Sequence, residues 1–232
     1  MLFEYTYKIS NRKFKTSKAK AVMLAKKMLP EYVFDMAKME NNPITFPEVQ
    51  TLMDGVTIGG HKINDVEQVL NIKDAWHCIL SDVEDKTFFV AKSYFHKINK
   101  IIARNEAIYA GIFRNGSVGI AGTSNYKSPN FENLEKIFTF ELPTVMVDFH
   151  PVEQAIRLFL WGSLNQFYWD GNKRTARLIA NGILLDAGIG VLNIGTTDIL
   201  EFNTLMVNFY DTLNADEIVK FLAEKAIITL SE

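Results

Sequence analysis

Along most of this 232-residue chain the apolar residues recur at helical spacing, and one glycine- and serine-rich stretch breaks the rhythm. That texture calls for packed amphipathic helices with a single non-helical excursion. "SKAKAVMLAKKML" (17–29) sets Ala21, Leu24, Ala25 and Met28 on one stripe with lysines between them. "EYVFDMAKME" runs to Glu40, where "NNP" stops it, because Pro43 is unfavourable inside a continuing helix. Thr45 and Glu48 have capping-box spacing, Pro47 suits a first turn, and Gly55 closes that helix. Asn64 and Glu67 repeat the spacing before "VEQVLNIKDAWHCIL", which ends near Leu80. A single helix is expected over 86–111. "IFRNGSVGIAGTSNYKSP", with Val118 and Ile120 alternating among turn formers, predicts a hairpin or extended flap. Helical pattern resumes at Phe131, again from His150–Pro151 to Leu164, and in "RTARLIANGILLDAG", which Gly188 ends. Two helices close the chain, the second capped by Asn214 with Glu217 at its third position. The expected fold is all-α, one helical domain with a small β-hairpin flap, without repeats or a long linker.

A formal net charge of −2 argues against a dedicated nucleic-acid surface, which needs concentrated basic residues. No apolar run approaches the roughly 20 residues that cross a bilayer, so no membrane association is expected. The start, "MLFEYTYKISNRKFKTSKAK", lacks the apolar stretch of a secretory signal, and the lone Cys78 cannot form an internal disulfide. A cytoplasmic protein is the expectation. Exposed apolar positions in the flap or outer helices would support a homo-oligomer.

"QFYWDGNKRTAR" (166–177) carries the chemistry. A loop running into a helix N-terminus collects unpaired backbone N–H groups and the positive end of the helix dipole, which together bind anions. Gly171 and Asn172 tolerate the backbone angles of such a nest. Arg174 and Arg177, three apart, project to one side of a helix and can grip phosphate oxygens. Asp170 is placed to hold Mg²⁺ between two phosphates. Composition alone is equally compatible with an Asp-Gly turn opening an ordinary surface helix.

The stretch resembles the active-site loop of the Fic family, His-x-Phe-x-Asp/Glu-Gly-Asn-Gly/Lys-Arg-x-x-Arg, with Asp170, Gly171, Asn172, Lys173, Arg174 and Arg177 in register. "FHPVEQA" resembles the helix before the loop, "YFHKINKIIARNEAIYAGIFRNGSVGIAG" the helix, arginine and flap, and "MENNPITFPEVQTLMDG" an N-terminal inhibitory segment. "EFNTLMVNFYDTLNADEIVKFLAEKA" is similar to the closing helices, so the likeness covers roughly residues 31 to 225. It implies a Fic-type helical bundle with the flap over the active-site loop, divided into a segment 1–44 with an inhibitory helix and a core 45–232. The implied reaction is transfer of a nucleotide monophosphate, most often AMP from ATP, to a hydroxyl of a target protein. Asp170 would hold Mg²⁺, while Gly171, Asn172 and Lys173 cradle the inner phosphates. Arg174 would grip the outer phosphates and Arg177 the γ-phosphate. Val118, Gly119, Ile120, Ala121 and Gly122 would pin the target as an added strand.

Gln166 departs from this pattern, standing where the family has its histidine base. An amide cannot take the target's proton, and losing a general base forfeits on the order of 10²–10⁴ in rate. His96 and His150 match structural positions, His61 lies in a loop, and His77 is expected to be packed on an apolar helix. Phe167 for proline and Tyr168 for phenylalanine imply an altered loop. The inhibitory motif keeps Glu40 and Asn41 but has Met36 for Ser/Thr, and Glu40 is expected to pair with Arg177. Three readings follow: a slow adenylyltransferase held off by Glu40, a non-catalytic nucleotide- or partner-binding module, and a Doc-like phosphotransferase or other group transferase.

Overall fold

The computed structural model describes residues 1–9, 16–147 and 149–229. The N-terminal reading over residues 10–15 and the last residues of the 45–232 core lie outside them. Ten α-helices run in order among the described residues: α1 Lys18–Lys27, α2 Leu29–Lys38, α3 Phe46–Met53, α4 Ile63–Glu84 and α5 Lys92–Ile102, then α6 Leu134–Met146, α7 Pro151–Asn165, α8 Asn172–Asp186, α9 Ile199–Thr212 and α10 Asp216–Phe221. No helix among these residues is long and apolar enough to cross a membrane.

The centre is an antiparallel pair, α7 and α8, joined by the 166–171 loop. Both helices are buried nearly all round, as befits a helix walled in by others. They approach closely at Gly162, where an added Cβ would lie 2.7 Å from the Ala176 Cβ. Around this pair pack α4, α5 and α6, while α2 and α3 cover α4. Phe95, Phe138, Trp161 and Phe167 interlock in the core, with Trp161 and Phe167 ring centroids 4.9 Å apart.

Local signals explain the element starts. Thr45 and Glu48 form the expected capping box, the Glu48 Oε2 accepting from Thr45 N at 2.8 Å. His150 caps α7, accepting from Val152 N, with Pro151 at the first position. The expected Asn64 cap is not used, since α4 starts at Ile63 with Lys62 as its cap residue.

One expectation is corrected. Residues 86–111 are not one helix. Thr87 N and Phe88 N both bond back to Asp82 O, and after Ile102 the chain turns with Asn105 at φ 65°. It folds back until Gly111 N donates to Asn99 Oδ1 at 2.8 Å. The flap segment is extended and turns at Ala121–Gly122, but its arms form no strand ladder; Ser128 Oγ donates to Val118 O at 2.8 Å instead. The paired strands lie elsewhere. β1 (Gly190–Leu192) runs antiparallel to β2 (Ile227–Thr229), and the last helix gives way to a π turn over Leu222–Ala226 to reach it.

Candidate functional site

Gln166 ends α7 in the left-handed region (φ 46°), which turns the chain sharply away from the helix. Its side-chain amide is held at both ends. Nε2 donates to Ser163 O at 2.7 Å, and Oε1 accepts from Asn172 Nδ2 at 3.1 Å. Asn172 also closes the loop on itself, accepting from Tyr168 N and donating to Tyr168 O, each at 2.8 Å. Phe167 turns inward against Phe113 and Trp161, so the replacement of proline buries an aromatic ring beneath the loop. Tyr168 is buried beside His96, its hydroxyl 3.0 Å from Nδ1.

Gly171 begins α8 at φ 72°, and an added Cβ would lie 3.1 Å from the Ile102 Cγ2 and 3.3 Å from the Ala103 Cβ. Only a residue without a side chain suits both the angle and the space. Asn99 fixes the turn from α5, donating to Asp170 O at 2.9 Å and to Thr175 Oγ1 at 3.2 Å. The opening residues of α8, Asn172 to Arg174, line a cavity of about 380 Å³. Glu40, Gly119, Ile120, Ala121, Gln166 and Trp169 line it, with Asp170 to Arg174 and Tyr210.

Most of the expected site residues therefore meet around one space. Asn41, Val118, Gly122 and Arg177 stand outside its lining. Asn41 occupies the turn after α2 at φ 58°, and Gly122 turns the flap at φ 84°.

The arginines differ sharply. Buried Arg174 donates to Glu106 Oε1 at 2.9 Å and to Asp170 Oδ1 at 3.0 Å, and its Nε lies 3.7 Å from Glu40 Oε1. Burial works against its charge, but Glu40, Glu106 and Asp170 outweigh it and raise its pKa. Arg177 is wholly buried, and its Nη1 donates to Met39 Sδ. Burial lowers its pKa to about 10, with Glu40 and Asp35 opposing from a distance. The expected Glu40–Arg177 pair is corrected: among the described residues Glu40 forms its ion pair with Arg174. Met39, which comes before Glu40, occupies the contact with Arg177 instead.

Glu106 carried no sequence signal, because it lies in the turn-rich stretch after α5. Its other oxygen accepts from Gln68 Nε2 at 3.0 Å, and Gln68 Oε1 accepts from Asn42 Nδ2 at 3.0 Å. Arg114 is the second tie to emerge. It is buried and, among the described residues, forms no ion pair; its Nε donates to Gln166 O at 2.6 Å and its Nη2 to Pro129 O at 2.7 Å. Burial lowers its pKa. One guanidinium so clamps the flap to the Gln166 turn. Asp211 on α9 pins the far end of the flap, accepting from Ser124 N, Asn125 N and Tyr126 N at 2.8–3.0 Å.

None of the four histidines lines the cavity. His61 pairs with Glu48 at 2.9 Å, and His77, expected to be packed, is exposed on α4.

No family model matches the chain, and no curated protein matches it in sequence. Solved structures do. A Fic-domain-containing signaling protein from Bacteroides thetaiotaomicron superposes with a TM-score of 0.70 at 19% identity, over 91% of this chain and 87% of that one. Residues 134–508 of Fic-1 from C. elegans match with a TM-score of 0.70 at 19% identity, over 92% of this chain and 64% of that one, so this chain spans just under two thirds of that fragment. An IbpAFic2 variant in complex with adenylylated Cdc42 gives 0.50 at 15% identity, over 91% of this chain and 72% of that one. The chain has the all-α Fic-type fold, with its flap over the loop between the two central helices.

Proposed function

We propose that this protein is a Fic-type nucleotide-binding protein, related to protein adenylyltransferases, whose transfer step is weak or lost. The observation that carries the reading is the shared cavity: the opening turn of α8, Asp170, Lys173 and Arg174 face the same space as Gln166 and the flap residues Gly119 to Ala121. Backbone N–H groups at a helix start and a buried arginine are what a polyphosphate needs. Asp170 is half exposed and lines the cavity, so its carboxylate fits a Mg²⁺ shared with phosphate oxygens. Bound there, the ion would neutralise phosphate charge. Arg177 becomes an outer-phosphate ligand only if the Met39–Glu40 segment lifts. The flap is the docking edge for a protein target.

Transfer requires a target hydroxyl oxygen to attack the α-phosphorus, pyrophosphate to leave, and the hydroxyl proton to find an acceptor. Gln166 offers none. Both ends of its amide are already hydrogen-bonded, which favours a binding module over a working transferase. Segment 1–44 acts as the regulatory part, with Glu40 competing with phosphate for Arg174.

Calorimetric titration with Mg·ATP tests the site. Binding is expected in wild type or in Glu40→Gly and is expected to disappear in the Asp170→Ala, Arg174→Ala double variant. Binding that survives the double variant would sink the assignment. Gln166→His, incubated with labelled ATP, is expected to create auto-modification that wild type lacks; labelling by wild type itself would make it an active transferase.

A further inference from the structure

Each nitrogen of the Arg174 guanidinium turns to a different carboxylate. Nη1 donates to Glu106 at 2.9 Å, Nη2 donates to Asp170 at 3.0 Å, and Nε lies 3.7 Å from Glu40. The three carboxylates are not equivalent. Glu40 and Asp170 line the cavity, where a ligand reaches them, and Glu106 stands outside its lining. Glu106 is also held on its far side, its Oε2 accepting from Gln68 Nε2 at 3.0 Å. Gln68 is held in turn by the buried Asn42, whose Nδ2 donates to Gln68 Oε1 at 3.0 Å and to Asp65 O at 2.9 Å. In a guanidinium the Nε and Nη2 hydrogens share one edge, the one that grips a phosphate with two parallel bonds, and Nη1 completes the fork on the other side. Glu106 thus occupies the nitrogen that such a phosphate leaves free. The two carboxylates on the phosphate's edge are the two that face the cavity.

We propose that Glu106 is the positioning residue of the phosphate site: it holds Arg174 by Nη1 and presents the Nε–Nη2 edge to phosphate oxygens as Asp170 and Glu40 give way. The inference rests on the nucleotide reading above and adds to it a residue that the ligand never touches. Gln68 sets the angle and acts on the arginine only through Glu106. Without Glu106, the guanidinium turns toward Asp170 and Glu40, and its paired edge is taken up by the protein's own carboxylates.

Calorimetry with Mg·ATP on the intact chain sets the reference, in wild type or, if only that form binds, in Glu40→Gly. In that background Glu106→Ala is expected to weaken binding about tenfold and Gln68→Ala about threefold. A role confined to the turn after α5 would lower the melting temperature of these variants and leave the affinity of the folded protein unmoved. The Arg174 Nε–H resonance, assigned by its loss in Arg174→Lys, gives a readout that needs no Glu106 variant. Saturating Mg·ATP is expected to move it downfield in the reference protein, as Nε comes to donate to phosphate. Folded Glu106→Ala is expected to show a smaller shift. A resonance that stays in place at saturation in the reference protein overturns the positioning role and leaves the nucleotide site standing. Unchanged or tighter affinity in folded Glu106→Ala overturns it too. If Mg·ATP binds neither wild type nor Glu40→Gly, the nucleotide reading fails and this one fails with it.

Discussion

At the scale of single residues, the loop between α7 and α8 depends on Gly171 and Arg114. Gly171→Ala forces a Cβ into a left-handed position already crowded by Ile102 and Ala103. The expected cost is about 1–3 kcal/mol, read from the denaturant midpoint, with nucleotide binding lost because the opening turn of α8 shifts. Arg114→Ala leaves Gln166 O and Pro129 O without their donor and frees the flap from the loop. A loss of about 2–4 kcal/mol is expected, and Arg114→Lys should recover only part of it, because a point charge cannot span the carbonyls of Gln166, Gly116 and Pro129 that the planar fork reaches. The Gly171 requirement was legible in the sequence, since a turn before a helix announces itself locally. The role of Arg114 was not: its partner Gln166 is 52 residues away, and no periodicity links the two.

At the scale of elements, the flap is a tethered loop. Asp211 on α9 holds three consecutive backbone N–H groups, and the Ser124 and Asn125 bonds lower its carboxyl pKa. A folded-state pKa below the unfolded one gives a tether that is complete above the unfolded value, about 3.9, and lost as pH falls through the folded value. Hydrogen exchange over 118–128 is therefore expected to lose protection below about pH 4, with α7 and α8 still protected. Asp211→Asn should show fast flap exchange at neutral pH; unchanged exchange would remove Asp211 as the tether. The sequence correctly marked this stretch as non-helical, because glycines and serines punctuate it. It could not show that the arms would be pinned by α9 and Arg114 rather than by each other. The helix expected over 86–111 failed for a related reason. Its apolar periodicity continues past Ile102, but bonds such as Asn99 to Gly111 N and Arg174 to Glu106 stabilise a folded-back turn that propensity cannot weigh.

At the scale of the whole molecule, stability and site share one support, the α7–α8 pair. Gly162→Val would drive a branched side chain into the Ala176 Cβ, 2.7 Å from an ideal Cβ. A loss of about 1–3 kcal/mol or more is expected, as a lower melting temperature with flap and loop protection falling together. Loss confined to the loop would show that the pair is not the common support. The sequence by itself determined the helical class, the capping box at Thr45 and Glu48, and the run from Asp170 to Arg177, because each is written in residues within a turn or two of one another. Only the tertiary structure decided that Glu40 and Glu106 meet Arg174, that Met39 covers Arg177, and that β1 finds β2. Those choices join residues far apart in the chain, and the packing of α2, α5 and α8 selects them from many pairings that local sequence leaves equally open.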